Sequence, residues 1–321
     1  MDTKRIVDLS ERIRNNVSKV IVGKDEVVNL MLTSMYASGH ILLEDVPGTG
    51  KTMLARCISK SVSCEFTRVQ FTPDLLPSDL TGLNVFSQST GDFSFKKGPV
   101  FTNILLADEI NRATPRTQSS LLECMEERQV TVDGETRKLD APFLVVATQN
   151  PLETSGTFPL PEAQMDRFFC RLKNGYPSPE EGLQVLMKNE GRVPFNDLEE
   201  ITNGQEIVEI AKEITNVKVN DTVKEYIADI IEVTRNHDQI IGGISPRGSI
   251  SLMRGVQAYA ALNGRDYAIP DDVQYLAIHC LAHRLTVKGF SALGKTQTQE
   301  KIISDILEMV PVPTEVIATE D

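Results

Sequence analysis

The chain has 321 residues, 40% of them hydrophobic and 24% charged, with a net charge of −12, enough material for one large or two modest domains with a core. The acidic balance argues against a nucleic-acid binder, because phosphate neutralisation calls for a basic face and no basic cluster here is longer than Lys96-Lys97. No apolar run approaches the roughly 18 residues that span a bilayer, which leaves a membrane protein of the helical kind out of the reading.

In chain order, the first apolar run that reads as a buried strand is His40–Leu43. It runs straight into "EDVPGTGKT" (44–52) and a helix expected over Lys51–Lys60. The loop fits the phosphate-binding pattern G-x-x-x-x-G-K-[ST] everywhere but the first position, where Asp45 stands for glycine. Backbone N–H groups of residues 46 to 52, a stretch that holds Pro47, Gly48, Thr49 and Gly50, would wrap the phosphates, with the positive end of the helix behind them. Lys51 would reach the β and γ phosphates of ATP, and the Thr52 hydroxyl would take one Mg²⁺ position. Asp45 lies where the chain leaves the strand, so its substitution tests the turn more than the phosphate cradle.

A second strand is expected at Phe66–Phe71 and a third at Asn103–Ala107, which ends on Asp108-Glu109. A buried strand that delivers two carboxylates to its C-terminal end suits nucleotide hydrolysis: Asp108 to hold Mg²⁺ in its outer shell and Glu109 to orient and deprotonate the attacking water. Thr114-Pro115 is a helix start signal before Thr117–Arg128. Two hairpins are expected, at 83–97 with "QSTGD" as its turn and at 129–139 with Val132-Asp133-Gly134-Glu135 at its tip. A fourth strand, Phe143–Ala147, leads to Asn150, whose amide could hold the lytic water against Glu109. A fifth, Phe168–Leu172, follows Arg167. From Gly175 onward the periodicity is helical (180–189, 205–215, 221–236, 249–262, 270–285 and 301–309), with Arg247 at the start of one helix. This alternation followed by helices predicts an α/β domain over 1–175, built on a five-stranded parallel sheet, and an all-α domain over 176–321.

Five scattered cysteines (Cys57, Cys64, Cys124, Cys170, Cys280) without a C-x-x-C pair read as reduced thiols in a cytoplasmic protein. The first six residues carry no signal-type apolar segment. His279 and His283 lie four apart on a helix, but with no adjacent Glu and no third ligand they read as helix packing, not metal.

The segments "VPGTGKT", "FTPDLLPSDLTG" (71–82), 98–134, "ATQNP", "LPEAQMDRF" (160–168) and "SPRGS" (245–249) together resemble the AAA+ ATPases, and within them the MoxR group; the likeness covers residues 6–290 and fades beyond. It implies an adenine pocket at Val22-Gly23, Asn150 as the first sensor, Arg167 as an arginine finger acting on the neighbouring subunit's nucleotide, and Arg247 as a second sensor reaching the γ-phosphate from the lid. Arg171 and Arg116 are the competitors for the finger. The resemblance further implies a homo-oligomeric, hexameric ring, inserts at 83–97 and 129–139 that face partners or the pore, and a partner carrying a von Willebrand factor A domain. Gly248 departs from expectation, since a better helix former beside Arg247 would hold the lid helix more firmly. The function implied is ATP-driven, chaperone-like remodelling or maturation of other proteins. The readings that compete with it are the motor subunit of a metal chelatase, a DNA-acting ATPase and a non-hydrolysing nucleotide-dependent scaffold.

Overall fold

The structure, a computed structural model, describes residues 1–313 apart from 45, 47, 90, 151–155, 192, 193 and 289–291; of residues 292–295 only the backbone is described. Asp45 and Pro47 of the phosphate loop therefore lie outside the described residues.

Five strands form the central sheet: β1 (Ile41–Glu44), β2 (Phe66–Gln70), β3 (Ile104–Asp108), β4 (Leu144–Gln149) and β5 (Cys170–Leu172). Their order is β2-β3-β4-β1-β5, and every pairing is parallel. Strands β1, β3, β4 and β5 are buried at successive positions because both faces are covered, whereas the edge strand β2 is only partly buried. Leu42, Leu105, Ala107, Val145 and Ala147 point into one core with Phe71 and Phe168. Ile41, Leu43, Ile104, Leu106, Leu144 and Val146 point into the other, larger one, which continues into the helical part of the chain.

Helices α1 (Thr3–Ser18), α2 (Asp25–Tyr36), α3 (Lys51–Ser61) and α4 (Pro115–Glu127) flank the sheet, and α5 (Pro179–Asn189), α6 (Gly204–Glu213), α7 (Asp221–Asn236), α8 (Pro246–Leu262), α9 (Pro270–Leu281) and α10 (Ala292–Met309) follow it. Two antiparallel hairpins, Gly82–Ser87 with Asp92–Lys97 and Gln129–Val132 with Glu135–Lys138, stand where turn chemistry placed them. The helical part is not purely helical: Ile240–Gly242 pairs antiparallel with Thr286–Val287 in a small ribbon. None of the described helices is long and apolar enough to cross a membrane.

Gly248 corrects the expectation of a loosened lid helix. Its N–H donates to the Ser245 hydroxyl that caps α8, at 3.2 Å. A Cβ there would lie 2.6 Å from Ile244 Cγ2 and 3.1 Å from Arg284 Cδ. The missing side chain makes room for Arg284, which is buried and holds the α/β part through Asp166 Oδ1 (2.8 Å) and the Phe168 carbonyl (2.7 Å).

His40, just before β1, is a neutral core group. The Val145 N–H donates to its Nδ1 at 3.0 Å, so Nε2 carries the proton and donates to the Met125 carbonyl at 2.9 Å. Burial, with Arg128 nearby, pushes its pKa down to about 3; His283, buried beside Arg284 and Arg171, is pushed down as well. In the unfolded chain a histidine titrates near 6.5. Between the two values the unfolded state binds the extra proton, so stability is present above pH 6.5 and is lost as the pH falls. Going from pH 7 to pH 5 should remove about 2 kcal/mol through His40, with His283 acting in the same direction. Denaturant melts at the two pH values should show that fall, and His40→Gln should flatten it.

Candidate functional site

The phosphate-loop segment and the acidic pair stand at the C-terminal ends of the sheet strands. After β1 the chain turns through Gly48 (φ 85°) and Gly50 (φ 86°), both left-handed, and Gly50 caps α3. A Cβ at either glycine would meet nothing within 4 Å, so the loop's inner side is open and its constraint is the backbone angle itself. The Thr49 hydroxyl donates to the Val46 carbonyl at 3.3 Å, and the Asn174 amide donates to the Thr49 carbonyl. Lys51 and Thr52 open α3, where the N–H groups of the first turn and the helix dipole favour an anion.

Below the loop, a buried network fixes its base. Glu44, the last residue of β1, pairs with Arg171 at 3.6 Å, with side chains only 6% and 4% exposed. Glu44 also accepts from Gln149 and, at 3.0 Å, from the Thr296 hydroxyl, while Arg171 donates to Gln299 Oε1 at 2.9 Å. Helix α10 is thereby tied to the root of the phosphate loop. The same contacts occupy Arg171, one of the two competitors for the finger; Arg116 is exposed on the first turn of α4.

Asp108 ends β3, and Glu109 follows in the left-handed region (φ 57°, ψ 50°). A non-glycine residue held there costs of order 1–3 kcal/mol and persists only where surroundings enforce it. The enforcement comes from β4, where the buried Thr148 hydroxyl donates to Asp108 Oδ1 at 2.6 Å and accepts the Glu109 N–H at 2.9 Å. Edge strand β2 supplies two more contacts: Arg68 reaches Asp108 Oδ2 at 2.6 Å, and Gln70 donates to Glu109 Oε2 at 2.6 Å. Arg112 lies 3.3 Å from the same Glu109 oxygen. Since β4 sits between β1 and β3, Asn150 emerges from it between the phosphate loop and the acidic pair.

Beside the loop is a cavity of 260 Å³ lined by Val20, Ile21, Val22, Met53, Leu54 and Phe195, among others, together with Gly48, Thr49 and Gly50. Its largely apolar wall suits a flat heterocycle. Gly23 (φ 67°) turns the chain just behind Val22, and a Cβ there would lie 1.8 Å from Glu181 Oε1 at the start of α5. Phe195, whose ring also carries Arg56 at 4.4 Å, is a wall residue that no sequence signal singled out.

Among the described residues no three His, Cys, Asp or Glu side chains cluster as a self-sufficient metal site. The donors at the loop are oxygens, the Thr52 hydroxyl and the Asp108 carboxylate, and Asp108 Oδ2 already faces a cation, the Arg68 guanidinium. A hard, incomplete oxygen set of this kind fits Mg²⁺, which takes its remaining ligands from phosphate and water. His283, which the spacing put beside His279, is spent on the Phe168 carbonyl at 3.0 Å.

The two site arginines do not join the loop. Arg167 precedes β5, whose first hydrogen bond, from the Phe169 N–H to the His40 carbonyl (2.8 Å), marks the N-terminal edge of the sheet. That edge is a strand length, ~13 Å, from the phosphate loop. Arg247 stands beside it, so strand direction puts it at the edge opposite this chain's own phosphate loop. One carboxylate, Glu126 on α4, holds both arginines, Arg167 at 3.2 Å on Oε2 and Arg247 on Oε1. They line an open cleft of 430 Å³ with Arg128 and Arg254.

Comparison with known proteins shows the family. The family described as "ATPase family associated with various cellular activities (AAA)" matches residues 40–170, and the AAA lid domain matches residues 232–306. The chain is similar to the uncharacterized protein YeaC of Bacillus subtilis, 49% identical over 94% of this chain and 93% of that one. It is similar to the chaperone MoxR1 of Mycobacterium tuberculosis, 38% identical over 94% of this chain and 82% of the relative. A crystal structure of a provisionally named ATPase from Cytophaga hutchinsonii superposes with a TM-score of 0.87 at 38% identity, covering 97% of both chains.

Proposed function

The chain belongs to the MoxR family of AAA+ ATPases, and from that premise we propose that it hydrolyses ATP in a homo-oligomeric ring, a hexamer, and spends the cycle on chaperone-like remodelling or maturation of partner proteins. The observation that carries the ring is the split of the site: the phosphate loop and the acidic pair stand at one edge of the sheet, and Arg167 with Arg247 at the other. A second copy is the simplest source of cations for the nucleotide of the first.

In this reading, Gly48, Thr49 and Gly50 cradle the phosphates with Pro47, which lies outside the described residues, and Lys51 neutralises them. Val22 and Gly23 shape the adenine wall. Thr52 and Asp108 hold Mg²⁺, which when bound neutralises phosphate charge. Glu109 takes the proton of the attacking water, and Asn150 orients that water from the neighbouring strand. Arg167 and Arg247 release Glu126 and turn to the nucleotide of the adjoining subunit, where they offset charge that grows in the transition state. The client includes a partner with a von Willebrand factor A domain, met by the hairpins at 83–97 and 129–139, and the assembly works in the cytoplasm. The word chaperone in the name of the Mycobacterium tuberculosis relative supports this over the chelatase and DNA-acting readings, and the net charge of −12 weighs further against DNA.

The test is the ATPase rate per chain as a function of protein concentration. A ring with its arginines supplied by a neighbour should show a rate per chain that climbs with concentration and then saturates as assembly completes. A rate per chain that is flat from the nanomolar to the micromolar range, in a protein shown by sedimentation to be monomeric throughout, would remove the ring from the proposal.

A further inference from the structure

Both oxygens of the Asp108 carboxylate are already engaged. Oδ1 accepts from the Thr148 hydroxyl, a buried group fixed in β4. Oδ2 takes a guanidinium side-on, from Arg68 Nη2 at 2.6 Å and Nε at 3.1 Å. These two partners differ in how easily they leave. Thr148 is almost wholly buried, at 1% exposed, and also accepts the Glu109 N–H; the Arg68 side chain is 48% exposed on an edge strand. Arg68 is therefore the contact that solvent and ligands can compete with.

Arg68 also touches the neighbouring carboxylate indirectly. Its Nη2 donates to Gln70 Oε1 at 3.0 Å, and the Gln70 amide donates to Glu109 Oε2 at 2.6 Å. Residues 68 and 70 share one face of β2 because side chains alternate along a strand, and the register opposite β3 sets Gln70 against Asp108. One edge strand thus grips both acids of the pair, Asp108 by charge and Glu109 by an amide.

We propose that Arg68 is a positioning residue that stands in the magnesium place on Asp108 while the nucleotide site is empty, so that Arg68 and Mg²⁺ compete for Oδ2 and Arg68 sets how much magnesium the site needs. This rests on the reading of Thr52 and Asp108 as the metal-holding pair. Before Asp108 Oδ2 could serve the magnesium or a water of its shell, Arg68 would have to leave it. The side chain swings outward into solvent, and its hydrogen bond to Gln70 goes with it. Gln70 is then free to move, and Glu109 with it. The empty site is kept neutralised, with neither carboxylate bare, and the pair is unlocked together when the metal-bearing nucleotide arrives.

The experiment follows binding, not turnover. A fluorescent, non-hydrolysable ATP analogue at fixed concentration is titrated with MgCl₂ from EDTA, on the full chain, in wild type, Arg68→Ala and Arg68→Lys, with the thermal midpoint of each recorded as a check on folding. Removing the competitor should lower the Mg²⁺ concentration for half-maximal binding by about five-fold in Arg68→Ala. Arg68→Lys, a point charge without the side-on fork, should fall between. A half-saturation unchanged within two-fold in folded Arg68→Ala, or one that rises, overturns the proposal; a rise would mean that Arg68 holds Asp108 in place for the metal. If Arg68→Ala does not fold, Arg68→Lys decides by the same criterion. Wild-type binding that ignores magnesium altogether would instead overturn the metal-site reading, and the role of Arg68 with it.

Discussion

Glu109→Gln should lower ATP turnover by about 10²–10⁴-fold, the usual contribution of a positioned general base, and leave nucleotide affinity within a few fold. The substitution keeps length, shape and one acceptor oxygen, so the contact from Gln70 can persist. It removes the negative charge that faces Arg112, and with it the ability to take a proton. The left-handed backbone at this residue (φ 57°) is imposed by Thr148 through the Glu109 N–H, which glutamine keeps. Glu109→Asp provides the matching geometric control: it keeps the charge but retracts it by one methylene, and should also lose most of the rate. Steady-state turnover measured beside analogue binding separates the two effects. Turnover near wild type in folded, nucleotide-binding Glu109→Gln would move the base to another residue.

What could be read from the sequence was what depends on neighbours along the chain. Strands β1, β3, β4 and β5 show as buried runs because both their faces are covered, edge strand β2 shows by alternation instead, and the hairpins at 83–97 and 129–139 show through their turn residues. The two N-terminal helices were not anticipated, although Ile6, Leu9, Ile13 and Val17 of α1 recur at helical spacing and are all buried. The ribbon of 240–242 with 286–287 is too short to compete with the helical pattern around it.

The site divides in the same way. The phosphate loop and the acidic pair are local motifs and stood out. Arg68 and Gln70 did not, because their meaning comes from β2 lying next to β3, and strand order is not written in spacing. Period-two alternation in "TRVQF" hints that 68 and 70 share a face, but nothing in it says which strand they face. The Glu44–Arg171–Gln299 network joins residues more than a hundred positions apart, and its last member lies past the stretch where the family resemblance fades. For Arg247 the motif was legible but its direction was not: a residue name cannot say at which edge of the sheet a lid helix docks. That docking is set by Asp166, which accepts from Arg284 and, at 3.0 Å, from Ser245 immediately before Pro246-Arg247.

That placement leads to the second large effect. Arg167→Ala should cost about 10³–10⁵ in turnover, the range for an arginine finger, equivalent to about 4–7 kcal/mol of barrier. Arg167 cannot act on its own chain's loop from the far edge of the sheet, so the loss should be repairable by a different chain. Lys51→Ala removes the phosphate lysine but leaves Arg167 and Arg247 intact. Each variant alone should be nearly inactive. Mixed before assembly, some Arg167→Ala loops will adjoin a Lys51→Ala neighbour that presents a complete pair of arginines, and part of the wild-type rate should return. Arg247→Ala should behave alike in the same mixture, because Glu126 holds the two arginines together at one edge. If the Arg247→Ala defect is not repaired while the Arg167→Ala defect is, then Arg247 serves its own chain's nucleotide and the lid must swing by a strand length to bring it there. If neither is repaired although mixed rings form, the arginines do not work across the subunit boundary, and the loop must draw its transition-state charge from within its own chain.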